Sequence, residues 1–255
     1  MLIKQNVLNT FVSSGSYSDF LETITDLPRL KNSAYVCFAN VHMLMEARQD
    51  SDFNHVVNSA DIVTPDGKPV SLLMNSLYAV KQERVCGMDL FPDILKKAAE
   101  KKLSVFFYGS SVEVLKSIER KALNEFPELI IAGYYSPPFR ALSFEEDQEV
   151  IRMINSAKAD LIFVSLGCPK QEKWMYLHKD KIQGCMLGLG QAFLTYTGFE
   201  KRLPVWARNL SLEWLYRLVL EPKRLWKRYL IGNGRFILLA GKTIFVKKYK
   251  LNELT

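Results

Sequence analysis

The sequence predicts an α/β fold, a largely parallel sheet with helices on both faces (Rossmann-like), followed by a C-terminal helical appendage. From about residue 34, apolar runs of strand length alternate with segments of helical period. The strand-length runs are continuously apolar, as in parallel strands covered on both faces. Beyond Gly198 the alternation stops and only helical pattern remains. The 255 residues therefore divide into an α/β body, residues 1–200, and an appendage, residues 201–255.

Taken in order, Ala34–Ala39 and Asp61–Thr64 read as strands around a helical segment, Val41–Arg48. Leu90–Lys101 has helical spacing and leads to a strand at Ser104–Tyr108, followed by a helix at Val112–Asn124. Leu129–Tyr135 and Asp160–Leu166 are the next strands, with Phe144–Ser156 the helix between them. Gln171–His178 is a helix and Cys185–Leu189 a strand. The uncharged stretch Ile182–Phe199 approaches membrane-spanning length, but its four Gly, two Gln and two Thr make it a strand, a glycine turn and a loop. In the appendage, Leu210–Leu220 reads as a helix, and Pro222 ends it, kinks it or starts the next. That next helix, Lys223–Ile231, is expected to close before Gly232-Asn233-Gly234.

Composition narrows the class of protein. Hydrophobic residues make up 48% and charged residues 24%, which excludes disorder, a collagen repeat and a coiled coil. The net charge of +7 is unevenly placed: residues 201–255 hold 13 Lys/Arg against 3 Asp/Glu, leaving 21 against 24 in residues 1–200. The appendage also holds Trp206, Trp214 and Trp226, three of the four tryptophans, so its partner should be anionic and partly apolar. Cys37, Cys86, Cys168 and Cys185 are far apart with no CxxC pair, which fits thiols in a reducing compartment. The N-terminal residues carry no signal-peptide pattern. A cytoplasmic protein, held peripherally at the membrane, is the expectation.

In a parallel sheet, ligands gather beyond the carboxyl ends of the strands, and four polar sets fall there. Asn40 and His42 follow the first strand. Thr64-Pro65-Asp66-Gly67 has the form of a tight turn, and it also holds Asp66 rigidly at a strand end, where a general base could stand. Gly109-Ser110-Ser111 joins a strand to a helix and reads either as a plain N-cap or as a phosphate cradle. Gly167-Cys168-Pro169-Lys170-Gln171-Glu172 repeats that choice, with Lys170, Gln171 and Glu172 in the first helical turn.

Other chemistries fit less well. His42, His55 and His178 have no metal-ligand spacing, Asp50-Ser51-Asp52 follows a helix, and Gly188-Leu189-Gly190 lacks the third glycine of a dinucleotide fingerprint. A nucleic-acid-binding protein would explain the basic appendage but leaves the two strand-end motifs without a purpose.

Together the runs Ala39-Asn40-Val41-His42-Met43, Ala60 to Gly67, Arg84-Val85-Cys86-Gly87-Met88-Asp89, Tyr135-Ser136-Pro137-Pro138-Phe139 and Gly167 to Trp174 resemble the WecG/TagA/CpsF glycosyltransferase family. So do Leu212 to Leu218 and Glu221 to Leu225, in the family's order. The resemblance implies an inverting enzyme moving a sugar, N-acetylmannosamine in the best-known members, from a UDP donor to a polyprenyl-diphosphate-linked saccharide. It implies that Asp66 is the base, that Asn40 lines the pocket, that Gln171 contacts the donor, and that Arg217 and Arg224 steady the diphosphate. Helix N-termini at Ser110 and Lys170 and the arginines of the appendage supply positive charge, so a mechanism without a divalent metal or other cofactor is expected. The appendage would also meet the inner face of the membrane, basic side chains near an anionic leaflet contributing about 1 kcal/mol each. Phe38 and Leu194 replace a Thr and an Asp found in many members, which leaves the donor sugar open, as is the oligomeric state.

Overall fold

The computed structural model describes residues 2–204, 206–207 and 213–252, without the side chains of 213, 217, 224, 227, 228 and 248–252. It begins with an antiparallel hairpin, β1 (Ile3–Val7) and β2 (Thr10–Ser14), that the strand–helix alternation does not cover. Leu8 and Asn9 both have positive φ, the turn geometry whose twist matches paired strands. Helix α1 (Tyr17–Leu30) follows, started by a reciprocal cap between Ser16 and Asp19.

A six-stranded parallel sheet then forms from β3 (Ser33–Ala39), β4 (Ile62–Pro65), β5 (Ser104–Gly109), β6 (Ile130–Tyr135), β7 (Leu161–Ser165) and β8 (Gly184–Gly188), in the spatial order β4-β3-β8-β7-β5-β6. All six lie where the apolar runs place them. Alternate residues point to opposite faces, so Tyr35, Cys37 and Ala39 enter one core while Ala34, Val36 and Phe38 enter the other. Helices α2 (Val41–Gln49), α3 (Ser51–Asn58), α4 (Lys68–Tyr78), α7 (Phe144–Ala157) and α8 (Lys170–His178) cover the first face. On the second lie α1, α5 (Gly87–Lys101), α6 (Val112–Glu125) and α9 (Ala192–Thr197). The chain leaves β7 toward β8 on one side and β5 toward β6 on the other, with the connecting helices on opposite faces, which makes the gap between β5 and β7 a switch point of the sheet.

The appendage comprises α10 (Glu213–Leu220), α11 (Pro222–Trp226), a π-helical turn (Lys227–Ile231) and α12 (Gly232–Asn252). Pro222 is thus the first residue of a new helix, one of the roles expected of it. The expected stop at Gly232-Asn233-Gly234 does not occur. Phe236 is buried in the first core, with Leu239, Ala240 and Ile244 packed beside it, and this tertiary burial overrides the low helix propensity of the two glycines. At the far end of α12, the Lys247 ammonium donates to the Leu77 carbonyl and sits 4.2 Å from the Tyr78 ring centre. The appendage is therefore anchored to the body along α2 and α4.

Candidate active site

Strands β3 and β4 pair in parallel with Ala39 opposite Pro65, so the residues that follow them, Asn40 and Asp66, emerge side by side. Neighbouring strands lie about 4.8 Å apart, which puts the two side chains within reach of one small molecule. The Asp66 amide donates to the carbonyls of Ala39 and Thr64, both at 3.0 Å, tying the turn to the end of β3. Gly67 then takes φ 123°, a backbone state that side chains disfavour, and starts α4 with Pro69 in its first turn. Asn40 caps α2, its Oδ1 accepting from the Met43 amide at 3.1 Å. With that oxygen committed, the Nδ2 group is what Asn40 can offer a ligand.

These two residues face a cavity of about 150 Å³ that is also lined by His42, Lys68, Arg84, Met88, Trp214 and Tyr229. Arg84 is brought there by the neighbouring Val85, whose amide donates to the Pro65 carbonyl at 3.0 Å and extends the edge of the sheet. Lys68 and Arg84 line the same cavity as Asp66, a set suited to an anionic ligand beside a basic carboxylate. The appendage contributes to its wall: Tyr229, on the π-helical turn, is buried, and its ring lies 6.0 Å from that of Trp214. Trp214, one of the tryptophans expected to meet an anionic and partly apolar partner, thus lines the site together with Tyr229.

A second cavity of about 310 Å³ lies on the other flank of α10, lined by Gln191, Phe199, Glu200, Arg202, Tyr216 and Glu221 among others. Met88 lines both cavities. Beneath it, the Asp89 carboxylate binds two guanidiniums, Arg84 at 2.9 Å and Arg202 at 2.8 Å. Arg84, Asp89 and Arg202 were not among the residues expected to form the site. The signal for two of them was present, since Arg84 and Asp89 flank a glycine at a helix start within one of the motifs.

Of the remaining expected residues, Gly109, Ser110, Lys170, Gln171 and Glu172 lie further along the strand ends and do not line the Asn40–Asp66 cavity. Gly109 ends β5, four strands from Asp66, with φ 102°. A Cβ there would stand 2.3 Å from the Ser165 carbonyl oxygen, so the glycine is what admits the neighbouring strand. Ser110 does not cap the next helix; Ser111 does, its hydroxyl accepting from Val114. The Ser110 amide is spent on the Ser165 carbonyl at 3.1 Å.

Lys170 is the exposed first residue of α8, while Gln171 and Glu172, both expected to touch a ligand, are buried. Gln171 Nε2 donates to the Gly188 carbonyl at 2.7 Å and to Glu172 Oε1 at 2.8 Å, and its Oε1 accepts from the Gly167 amide at 3.1 Å. The side chain therefore stitches the end of β8 to the loop after β7. Burial pushes the Glu172 carboxyl up to about 7.

Phe38 and Leu194 belong to the second core and neither lines a cavity described above; Phe38 packs under Gly87 with Leu189. The side chains of Arg217 and Arg224 fall outside the described residues. Among the described residues no cluster of three or more His, Cys, Asp or Glu is arranged to hold a metal ion. No helix among them is long and apolar enough to cross a membrane.

A model of the glycosyl transferase WecG/TagA/CpsF family matches residues 5–250. A Bacillus spizizenii protein named N-acetylglucosaminyldiphosphoundecaprenol N-acetyl-beta-D-mannosaminyltransferase is 36% identical over 217 residues, 84% of this chain and 81% of its own length. Its namesake in Bacillus subtilis is 34% identical over 202 residues, 78% and 76% of the two chains. One in Staphylococcus aureus is 28% identical over 195 residues, 76% and 75% of the two.

Proposed function

The chain belongs to the WecG/TagA/CpsF glycosyl transferase family, and from that premise we propose that it transfers N-acetylmannosamine or a related sugar from a UDP donor to N-acetylglucosaminyl-diphosphoundecaprenol or a similar lipid-linked saccharide. The product would serve a cell-surface polymer. The observation that carries this reading is the pairing of Asp66 with Lys68 and Arg84 around one cavity. A base and a cationic surface in the same pocket are what such a transfer requires.

In the proposed reaction Asp66 takes the proton of the acceptor hydroxyl as that oxygen attacks the anomeric carbon. The bond to the UDP oxygen breaks on the opposite side, so the configuration inverts. Negative charge grows on the departing diphosphate, and Arg84 and Lys68 stabilise it, with Arg217 and Arg224 of the appendage as further candidates. Because these groups come from the protein, the proposal needs no divalent ion. Asn40 orients a sugar hydroxyl or acetamido group through Nδ2. The rest of the donor runs along the strand ends toward Lys170 and the switch point beside Ser110, while Gln171 and Glu172 support that floor from below.

The lipid-linked acceptor requires a peripheral position at the membrane. Support for it comes from α12, where Ile237, Leu238 and Phe245 are exposed, and from two grooves beside it, one lined by Arg48 and Lys242 and the other by Arg48 and Arg235. The test is UDP release from a panel of UDP-sugars with a lipid-linked N-acetylglucosamine acceptor, with and without EDTA. Full activity of Asp66→Ala would remove the base assignment, and loss of activity in EDTA would remove the metal-free mechanism. Salt-sensitive binding to nucleic acid without UDP binding would favour the rival class instead.

A further inference from the structure

The carboxylate of Asp89 stands between two arginines that belong to different cavities. Arg84 lines the cavity of Asp66, and Arg202 lines the second one and lies in the segment that leads from the body into the appendage. The two contacts use one oxygen each, a hydrogen bond from Arg84 Nη2 at 2.9 Å and an ion pair with Arg202 Nη2 at 2.8 Å, so a single carboxylate holds both guanidiniums. All three side chains are partly buried, at 29% exposure for Asp89, 18% for Arg84 and 22% for Arg202, and surface screening is therefore reduced.

Asp89 itself is held in place. It lies in the first turn of α5, where the helix dipole favours a carboxylate, and its amide donates to the Cys86 carbonyl at 3.0 Å. Gly87 lets that turn sit against Phe38 and Leu189, at 3.3 and 3.2 Å from where a Cβ would be. The Arg–Asp–Arg bridge thus rests on the core and reaches up to both cavities.

We propose that Asp89 is a positioning residue for the transfer: it holds Arg84 in the geometry that meets the leaving diphosphate, and through Arg202 it ties that geometry to the docked appendage. The inference rests on the glycosyl-transfer reading above. A carboxylate beside two arginines has opposing effects on an anionic ligand. It repels the ground-state diphosphate, weakening binding, and it orients the guanidinium for the charge that grows as the bond breaks. A group of this kind trades affinity for rate.

The consequence is a split that a merely structural residue would not give. In Asp89→Asn the cluster gains a positive charge but loses its two-sided clamp. The KM for the UDP-sugar is expected to stay level or fall, and pyrophosphate is expected to bind more tightly by titration calorimetry. The kcat is expected to drop roughly tenfold to a hundredfold, the scale of a small misplacement at a reacting centre. Arg202→Ala should lower kcat in the same direction by less, because Arg84 keeps its half of the bridge. In an Arg84→Ala background, Asp89→Asn should add little further loss, the non-additivity of residues acting through one another.

Unchanged kcat in Asp89→Asn would overturn the proposal. So would a fall in kcat accompanied by weaker pyrophosphate binding and a lowered Tm, or additive losses in the double variant. Failure of the underlying reading looks different: the wild-type chain would neither release UDP in the presence of acceptor nor bind pyrophosphate, and the proposal would fall with it.

Discussion

The two ends of the row of strand termini use similar residues for different ends. At β3 and β4 the turn residues spend their backbone groups on one another and leave Asp66 and the Asn40 amide facing a cavity. At β5, β7 and β8 the glycine, serine and glutamine spend theirs on neighbouring strands: Gly109 and Ser110 meet Ser165, and Gln171 meets Gly188 and Gly167. Both ends look like ligand sites in sequence, since a Gly, a hydroxyl and an amide after an apolar strand suit a phosphate as well as a strand crossing. What separates them is whether the side chain lines a cavity or is bound into the sheet and its loops. Substitutions at one end should therefore change rate without stability, and at the other stability first.

The largest effect belongs to Asp66→Ala. A general base contributes on the order of a hundredfold to ten-thousandfold. The kcat should fall within that range while the Tm stays within a degree or two of wild type, as read by UDP release and differential scanning calorimetry. A Tm collapse equal to that of a core variant would erase the contrast between the two ends.

Gly109→Ala comes next, and its cost falls on the fold. The new methyl would enter a left-handed residue 2.3 Å from a carbonyl oxygen that cannot retreat without breaking β5–β7 pairing. Strain and overpacking together should cost roughly 3 kcal/mol or more, measured by urea unfolding. A stable Gly109→Ala protein that has lost only UDP affinity would restore the phosphate-cradle reading.

Gln171→Ala is a gentler version of the same argument. It removes a side chain that makes three hydrogen bonds, two of them buried, and leaves the Glu172 carboxyl without its amide partner. The expected loss is about 2–3 kcal/mol. Activity should decline in proportion to the folded fraction, and a normal Tm with a large rise in donor KM would instead make Gln171 a ligand contact.

These differences explain what could be read from sequence. Six strands were legible because doubly covered parallel strands are apolar from end to end, as in Val105-Phe106-Phe107-Tyr108. The pairing of Asn40 with Asp66 was legible as two strand-end motifs, although not as a shared cavity. The hairpin at residues 3–14 was not, because its strands are short and carry polar residues such as Lys4, Gln5 and Asn6. Nor was the passage of α12 through Gly232 and Gly234, which depends on Phe236 finding a slot in a distant core. The inward turn of Gln171 and Glu172 was hidden for a related reason. Sequence places a side chain on an element but does not say which polar partners are already waiting inside.

Glu172 gives the finest test of that inward turn. Its carboxyl is raised from about 4.5 to about 7 by burial, so between those values the folded chain holds a proton that the unfolded chain has released. Stability attributable to this group is intact below about pH 4.5, declines as pH rises and levels off above about pH 7, once both states are ionised. The full span corresponds to about 3 kcal/mol. Glu172→Gln removes the ionisation and keeps an oxygen able to accept from the Gln171 amide. It should recover part of the span, about 1–2 kcal/mol at pH 8, or a few degrees in Tm, and little at pH 5. Urea unfolding of both proteins at the two pH values measures it directly. A variant equally destabilised at both would mean that the second Glu172 oxygen has a charged partner, and that this end of the row is closer to a ligand site than its buried geometry indicates.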